Sequence, residues 1–397
     1  MSDLKQRDTA AVAGTYRRFP VEIVSGKGSV VFDENGKRYI DMGSGIGVTS
    51  FGIADDAWIA AVTEQLSKVQ HTSNLYYTEP CVRLAEMLTE KTGMSKVFFG
   101  NSGAEANECA IKVARKYAAA KDEKRSTIVT LVNSFHGRTL TTLAATGQEH
   151  YHELFQPLTP GFRHIEAGNT EQLAEAISAP DTAALLVEIV QGEGGVIALD
   201  EAYVKEAERL CREHDVLLMV DEVQTGNGRS GELYAYMNFG IKPDVVSTAK
   251  GLGGGLPLGA ALLSEKVANV LTFGDHGSTF GGNPVACAGA CSVISRMDEA
   301  FLAAVREKSA YCFAELRGAE GVEGVSGMGL MIGIKTVAPA ADVVRECMAR
   351  GVLCLTAKDK VRLLPALNIP MEILAEAITV VRTVCAEMKD AKKENAT

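Results

Sequence analysis

Four short apolar runs in the middle of the chain most constrain its fold: "STIVTLVN" (126 to 133), "AALLVEIV" (183 to 190), "VLLMVDEV" (216 to 223) and "DVVSTAK" (244 to 250). A strand with one wet face alternates polar and apolar residues; a run without alternation is covered on both faces. Helical patterns lie between these runs, clearest in "DEAYVKEAERLCREHD" (200 to 215), where Tyr203, Val204, Ala207 and Leu210 share one face. Apolar strands separated by amphipathic helices predict an α/β fold with a mainly parallel central sheet. In such sheets ligands bind beyond the carboxyl ends of the strands. The residues that follow each run therefore carry the functional reading.

Before residue 55, "VEIVSGKGSVVFDENGKRYIDM" reads as a small meander with turns at Gly26 to Gly28 and at Asn35-Gly36. After about residue 290 the pattern is helical with short strands, as in "LMIGIK" and "VRLLPAL". A chain of 397 residues is too long for one small core. The expected division is a large domain over 56–285 and a smaller α/β domain built from 1–55 and 286–397. A net charge of −10 argues against nucleic acid or anionic membrane as a partner. No apolar run is long enough to cross a bilayer, and "MSDLKQRDTAAVAGTYRR" has no apolar core of a signal peptide. Nine cysteines, odd in number and irregularly spaced, suit reduced thiols in a cytoplasmic protein. The tail "KDAKKENAT" reads as frayed.

Lys250 ends its run, and "GLGGGLPLG" follows at once. A lysine at a strand end is on its own ordinary surface punctuation. The glycines change that reading, because they admit backbone close to a bulky ligand. Apolar surroundings lower the pKa of the amine and make it a better nucleophile. Asp221 ends a run too apolar to welcome an unpaired carboxylate. A solvated turn or a cap explains it; so does a cationic partner such as a protonated pyridine nitrogen, with Gln224 placed for a ring hydroxyl and Val223 for a ring face.

"GNSGAEANECAIKVARKY" (100 to 117) is a turn feeding a helix. Ser102, Gly103 and Ala104 there suit a phosphate at the helix N-terminus, or an ordinary cap with Glu105 completing a capping box. In "NSFHGRT" (133 to 139), Phe135 can stack on a planar ring and Arg138 can hold a carboxylate. A core aromatic beside a surface arginine reads equally well. "GSTFGGNP" (277 to 284) offers Thr279 and more glycine, again suited to phosphate. None of these pieces is decisive alone. Together they describe a phosphorylated pyridine aldehyde bound to lysine.

Competing patterns are weaker. "GNGRSG" (226 to 231) satisfies a dinucleotide-binding glycine motif, but no clear helix opens after it and it lies far from the first strand. Cys287 and Cys291 are one helical turn apart and read as small core thiols, so no metal site is expected. "HYHE" (150 to 153) reads as surface.

With these residues in place, the chain resembles the class III, pyridoxal-phosphate-dependent aminotransferases from about residue 16 to 385. The best fit is to their acetylornithine branch. "VFFGNSGAEANECAIKVARKY", "SFHGRTLTTLAATGQ", "QGEGGV", "DEVQTGNGR", "AKGLGGGLPLGA", "GDHGSTFGGNP" and "VRLLPAL" carry the resemblance. It implies the type I, aspartate-aminotransferase-like fold and a homodimer with active sites at the subunit interface. It makes Lys250 the lysine that bonds pyridoxal 5'-phosphate and Asp221 the partner of the pyridine nitrogen. Phe135 and Val223 become the ring's covers and Gln224 its hydroxyl partner. Ser102, Gly103 and Ala104 take the phosphate, joined by Thr279 from the neighbouring subunit.

For substrate, Arg138 is expected to hold the distal carboxylate in each half-reaction. Only glutamate or 2-oxoglutarate needs a second cation near the reacting carbon, and Arg362 in "VRLLPAL" is its expected source. In the other half-reaction Arg362 needs an internal partner, and the resemblance supplies Glu193. Tyr16 and Ser278 are expected to line the same pocket. Ile46 stands where ornithine aminotransferases typically carry a tyrosine that meets a free α-amino group, which favours an acylated donor. The chain departs from the family pattern in lacking a proline after Glu188 and in having Ile53 where histidine is usual. The resemblance thus implies transfer of an amine from N2-acetylornithine to 2-oxoglutarate. Succinylornithine, ornithine, 4-aminobutyrate and N-succinyl-diaminopimelate are the rival donors.

Overall fold

Each apolar run forms a strand buried along its whole length: Thr127–Leu131, Thr182–Val187, Leu217–Asp221 and Val245–Thr248. The computed structural model describes residues 3–394, with side chains to residue 389. The four strands join three others in a seven-stranded sheet. Its order is Lys96–Gly100, Gly259–Leu263, Val245–Thr248, Leu217–Asp221, Thr182–Val187, Thr127–Leu131, Phe162–Ile165. The last five run parallel, and Gly259–Leu263 is antiparallel to both its neighbours.

The unbroken apolar runs are explained by cover on both faces. Leu217 and Met219 share a core with Ile111 and Ala114 of the helix Gly103–Ala119. Leu218 and Val220 point the other way and share a core with Val204 and Leu210 of the helix Glu201–Glu213. Asp200 caps that second helix by accepting from the N–H groups of Ala202 and Tyr203. Its buried face is Tyr203, Val204, Ala207, Leu210 and Cys211, the face the spacing predicts. "AALLVEIV" is shorter as a strand than it reads. The sheet ends at Val187, and Val190–Gln191 pairs instead with Ile197–Ala198.

The N-terminal strands Ile23–Lys27, Val30–Asp33 and Arg38–Asp41 form the expected meander. Its first turn is tighter than the glycines suggest: Lys27 pairs with Val30, so Gly26 lies in the strand. Val352–Leu353 adds to this sheet, parallel to Arg38–Asp41, so the two ends of the chain share it. A second small sheet holds Val322–Met328, Met331–Thr336, Lys360–Leu363 and Leu355–Ala357. Cys287 and Cys291 are buried in the helix Pro284–Ser295.

Two expectations are corrected, that "HYHE" lies at the surface and that the tail frays, while the one for "GNGRSG" stands. His152 of "HYHE" is buried, its Nε2 within 2.9 Å of the Leu143 carbonyl. "GNGRSG" opens no helix; only the short 3-10 turn Ala235–Phe239 follows, and the loop packs on Leu330 and Leu367. The final helix, Met371–Glu394, continues through most of the tail expected to fray, whose last three residues lie outside the described ones. Among the described residues no helix is long and apolar enough to cross a membrane.

The sheet geometry depends on one close approach. Gly259 pairs with Gly100, and a Cβ on Gly259 would stand 2.2 Å from the Ser102 carbonyl oxygen. That obstacle is backbone and cannot rotate away. Gly259→Ala is therefore expected to cost about 1–3 kcal/mol, read as a lower midpoint of denaturant unfolding. Gly324→Ala, where an added Cβ meets nothing within 4 Å, is expected to stay within roughly 0.5 kcal/mol of wild type. Equal midpoints for the two variants would remove the packing argument.

Candidate active site

Five strands of the sheet run in one direction into a single cavity of about 420 Å³, as the strand-end rule requires. Lys96–Gly100 leads to Ser102, Gly103 and Ala104; Thr127–Leu131 to Phe135 and Arg138; Thr182–Val187 to Glu188; Leu217–Asp221 to Val223 and Gln224; Val245–Thr248 to Lys250. Except for Glu188, each of these was singled out from the sequence, and one wall holds them all.

Asp221 is 3% exposed, yet it is fully answered. Asn107 Nδ2 donates to its Oδ2 at 2.8 Å, and the Val223 N–H donates to its Oδ1 at 3.0 Å. His136 Nδ1 lies 2.8 Å from Oδ2. An ionised carboxylate only accepts, so that ring nitrogen carries the proton. The other nitrogen, Nε2, is buried without a hydrogen-bond partner among the described residues. Asn107 and His136 were missed from the sequence, although His136 stands between Phe135 and Arg138. Asn107 is one helical turn beyond Gly103, the signal that faces it inward.

Glu188 was also missed as a site residue, and the signal was the one that found Asp221: a carboxylate after an apolar run. Burial and the neighbouring Asp221 charge push the Glu188 carboxyl well above the usual range. The backbone N–H groups of Phe135, at 2.9 Å, and Gly192, at 3.4 Å, act in the opposite direction.

Ser102 caps the helix Gly103–Ala119: its Oγ accepts from the Glu105 N–H at 3.2 Å. Glu105 reaches back to accept from the Asn101 N–H at 2.8 Å. The first N–H groups of a helix have no intrahelical partner, and such an end can take an anion. Val223 packs under this turn; a Cβ on Gly103 would stand 2.7 Å from Val223 Cγ1.

Lys250 has φ of 45°, a left-handed conformation that costs a residue with a side chain about 1–3 kcal/mol. Asn227 holds the preceding turn, its Nδ2 donating to Thr248 Oγ1 at 3.0 Å and to the Ala249 carbonyl at 3.1 Å. The glycines after Lys250 do less for a ligand than expected. A Cβ on Gly251 would meet Ser50 Oγ at 2.7 Å, on Gly253 the Leu256 carbonyl at 2.1 Å, and on Gly254 the Trp58 indole at 2.8 Å. These positions make room for neighbouring protein, and Gly255 alone of the four walls the cavity.

Beside the cavity, Arg362 Nη1 donates to Glu193 Oε1 at 2.6 Å and to Gln224 Oε1 at 3.0 Å. Burial alone would raise the Glu193 carboxyl, but the Arg362 charge and hydrogen bond outweigh it and hold the carboxyl below its usual range. Arg362 Nε is buried without a hydrogen-bond partner among the described residues. Arg138 is exposed, its guanidinium carbon over the Tyr151 ring at 4.3 Å from the centroid and over the Phe135 ring at 5.4 Å. The remaining expected residues sit elsewhere in this chain. Tyr16 is exposed on the N-terminal segment. Ile46 lines a separate apolar groove with Phe19 and Leu355. Thr279 is exposed, and Ser278 Oγ accepts from Asn101 Nδ2 at 3.1 Å at the cavity's edge.

Residues 11–384 match the profile of the aminotransferase class-III family. The chain belongs to that family. An acetylornithine aminotransferase of Haemophilus ducreyi is 50% identical over 388 residues, covering 97% of this chain and 99% of that protein. The solved N-acetylornithine aminotransferase of Stenotrophomonas maltophilia is 35% identical, with a TM-score of 0.83 over 95% of this chain and 98% of that one. The ornithine aminotransferase of Toxoplasma gondii is 32% identical, with a TM-score of 0.94 over 98% of this chain and 96% of that one; its structure has pyridoxal phosphate partially occupying the active site. The protein is thus a pyridoxal-phosphate-dependent transaminase with the α/β fold of this family.

Burial lowers the Lys250 amine, as does Arg362, while Glu193, Asp221 and Glu188 act to raise it. The amine therefore loses its proton below the roughly 10.4 of a free lysine. The rate at which cofactor-free protein captures pyridoxal phosphate is expected to rise through a correspondingly low midpoint. Glu193→Gln removes a charge that favours the ammonium and should move the midpoint down; Arg362→Gln removes one that opposes it and should move it up. Shifts in the same direction would show that the pair does not govern this amine.

Proposed function

We propose that the chain transfers the terminal amine of N2-acetylornithine to 2-oxoglutarate, giving N-acetylglutamate 5-semialdehyde and glutamate, a step of arginine biosynthesis. The observation that carries this reading is the Arg362–Glu193 pair beside the cavity, with Gln224 bonded to both. An aminotransferase takes two substrates in turn at one site. Glutamate and 2-oxoglutarate bring a carboxylate next to the reacting carbon; acetylornithine at its terminal amine brings none. Arg362 needs a carboxylate in both cases. Glu193 supplies it internally, and the orphaned Nε leaves a donor free for an incoming α-carboxylate. The name carried by the Haemophilus ducreyi relative supports the acylated donor.

The cavity's residues fit the cofactor. Ser102, Gly103 and Ala104 would hold its phosphate at the helix N-terminus, Asp221 its pyridine nitrogen, Gln224 its hydroxyl, and Phe135 and Val223 its ring. Three donors already aim Asp221, and one carboxylate would then meet one ring cation. When bound, pyridoxal phosphate acts as an electron sink for the carbon that carries the amine. Lys250 would hold the cofactor, and its amine, which burial makes easier to deprotonate, would carry a proton to or from that carbon. Arg138, without an ion-pair partner among the described residues and backed by Tyr151 at the cavity wall, holds the distal carboxylate of either substrate through a planar guanidinium.

A homodimer is part of this reading. Thr279 is exposed in a segment that packs with 69–78 through Asn74, whose Nδ2 donates to the carbonyls of Ser278 and Gly281. Around it Leu75, Tyr76, Tyr77, Phe273 and Phe280 are all exposed, an apolar patch that a second copy would cover. Thr279 would then complete the neighbour's phosphate site. Mixing Thr279→Ala with Lys250→Ala chains restores one intact site per hybrid dimer under this arrangement. Activity of the mixture above both parents is the expected outcome; a mixture no better than its parents would place Thr279 outside the partner's site.

Substrate choice is tested by mixing the holoenzyme, without keto acid, with N-acetylornithine, N-succinylornithine, ornithine, 4-aminobutyrate and glutamate. Fast loss of the visible cofactor band is expected with N-acetylornithine and glutamate, and slow loss with ornithine and 4-aminobutyrate. The succinyl trace ranks the acyl groups. Glu193→Ala is expected to slow the N-acetylornithine trace by about tenfold or more and the glutamate trace by less than about threefold. Equal or faster loss with free ornithine would overturn the donor assignment.

A further inference from the structure

Arg229, in "GNGRSG", is 2% exposed and has no carboxylate partner among the described residues. Burial without a counter-charge pushes its guanidinium down to about 9. A charged group kept in so costly a place calls for a reason, and none of the cofactor or substrate contacts above uses it.

The reason lies in the strand pair that carries Arg362. Met331–Thr336 and Lys360–Leu363 run antiparallel, with Gly333 opposite Arg362 and Ile332 opposite Leu363. Continued, that register sets Leu330 opposite Pro365. Proline has no N–H, so the ladder cannot go on. The Leu364 N–H has already turned away to the Met42 carbonyl at 2.7 Å. Two carbonyls at the end of the pair are thereby left without ladder partners in a dry interior, and Arg229 Nη1 donates to both: Leu330 O at 3.2 Å and Pro365 O at 2.5 Å. The Leu330 N–H in turn donates to the Arg229 carbonyl at 2.9 Å. The loop that supplies Arg229 begins at Gln224, which bonds Arg362 itself. The same loop thus grips the Arg362 strand twice, once at the guanidinium and once three residues beyond it.

We propose that Arg229 is a positioning residue for Arg362: it closes the broken end of the ladder and so sets where the Arg362 guanidinium stands relative to the cavity. This rests on the reading of Arg362 as the α-carboxylate site. The consequence is unequal between the two half-reactions. With the acylated donor, Arg362 stays with Glu193 and Gln224 and touches no substrate. With glutamate, its Nη and Nε groups must meet the carboxylate in a fixed geometry, and a displaced strand end fails there first.

The test measures single-turnover kcat/KM for N-acetylornithine and for glutamate in holoenzyme carrying Arg229→Lys or Arg229→Met. Lysine retains a cation and can donate to one or both carbonyls; methionine retains only bulk. Arg229→Met is expected to lose about tenfold or more with glutamate and less than about threefold with N-acetylornithine. Arg229→Lys should recover part of the glutamate loss. A merely structural role would lower both substrates alike, and equal losses in a folded variant overturn the proposal, as does an unchanged glutamate rate in Arg229→Met. If Arg229→Met does not fold, Arg229→Lys decides the matter by the same ratio. Wild-type protein that reacts with N-acetylornithine but not with glutamate would instead overturn the reading of Arg362, independently of Arg229.

Discussion

A carboxylate at the end of a buried apolar strand has to be answered, because an uncompensated charge there costs several kcal/mol. Asp221 is answered from three directions: His136 from the loop after Thr127–Leu131, Asn107 from the helix after Lys96–Gly100, and the Val223 N–H from its own loop. Satisfying that one group ties together the carboxyl ends of three separate strands. His136 brings Phe135 and Arg138 with it, Asn107 fixes the helix whose first turn is Gly103 and Ala104, and Val223 is seated under Gly103. The places expected for ring, phosphate and distal carboxylate are set as a by-product of burying one charge well.

Arg362 and Glu193 work by the opposite principle. Their pair is largely dehydrated, with Arg362 3% exposed and Glu193 partly accessible. A buried ion pair stands near thermodynamic break-even, whereas removing one partner is strongly unfavourable. Exchanging one carboxylate for another therefore costs little, while leaving Arg362 with none costs much. A site that meets a carboxylate in one half-reaction and not in the other can use that asymmetry, provided the internal carboxylate is mobile enough to leave. Glu193 sits in "QGEGG", flanked by glycines that give its backbone freedom to move, so that Arg362 and Gln224 are what hold its side chain.

The central sheet was legible because its strands are covered on both faces, which removes the alternation that ambiguous strands share with loops. Most of the residues proposed for the cofactor follow strands of the central sheet, and the strand-end rule places them at one end of it without further information. His136, Asn107 and Glu188 were harder. Asn107 and His136 serve to satisfy another side chain, and a partner relation across 114 residues, as between Asn107 and Asp221, has no local signature; Glu188 instead accepts from the Phe135 and Gly192 N–H groups. The glycines after Lys250 failed for a related reason. Glycine reports that something comes close, and whether that is ligand or backbone is decided by tertiary contact: Trp58, Leu256 and Ser50 fill the space that sequence alone assigns to a ligand. Tyr16 illustrates the same limit, since it does not reach the cavity of its own chain.

The two arginines expected to measure a substrate's length stand on different parts of the chain. Arg138 follows a strand of the central sheet, whereas Arg362 belongs to the small sheet of Met331–Thr336 and Lys360–Leu363. Their separation is not fixed by either sheet. It is fixed by the links between them: Gln224 to Arg362, and Arg229 to Leu330 and Pro365. Each link ends on backbone or on a buried side chain, so each tolerates little displacement. Discrimination between acids that differ by one methylene is worth only about 1–3 kcal/mol of contact energy. A site that distinguishes them must hold its two cations at a steady distance, and in this fold that steadiness comes from a loop of the large sheet closing the unfinished end of the small one.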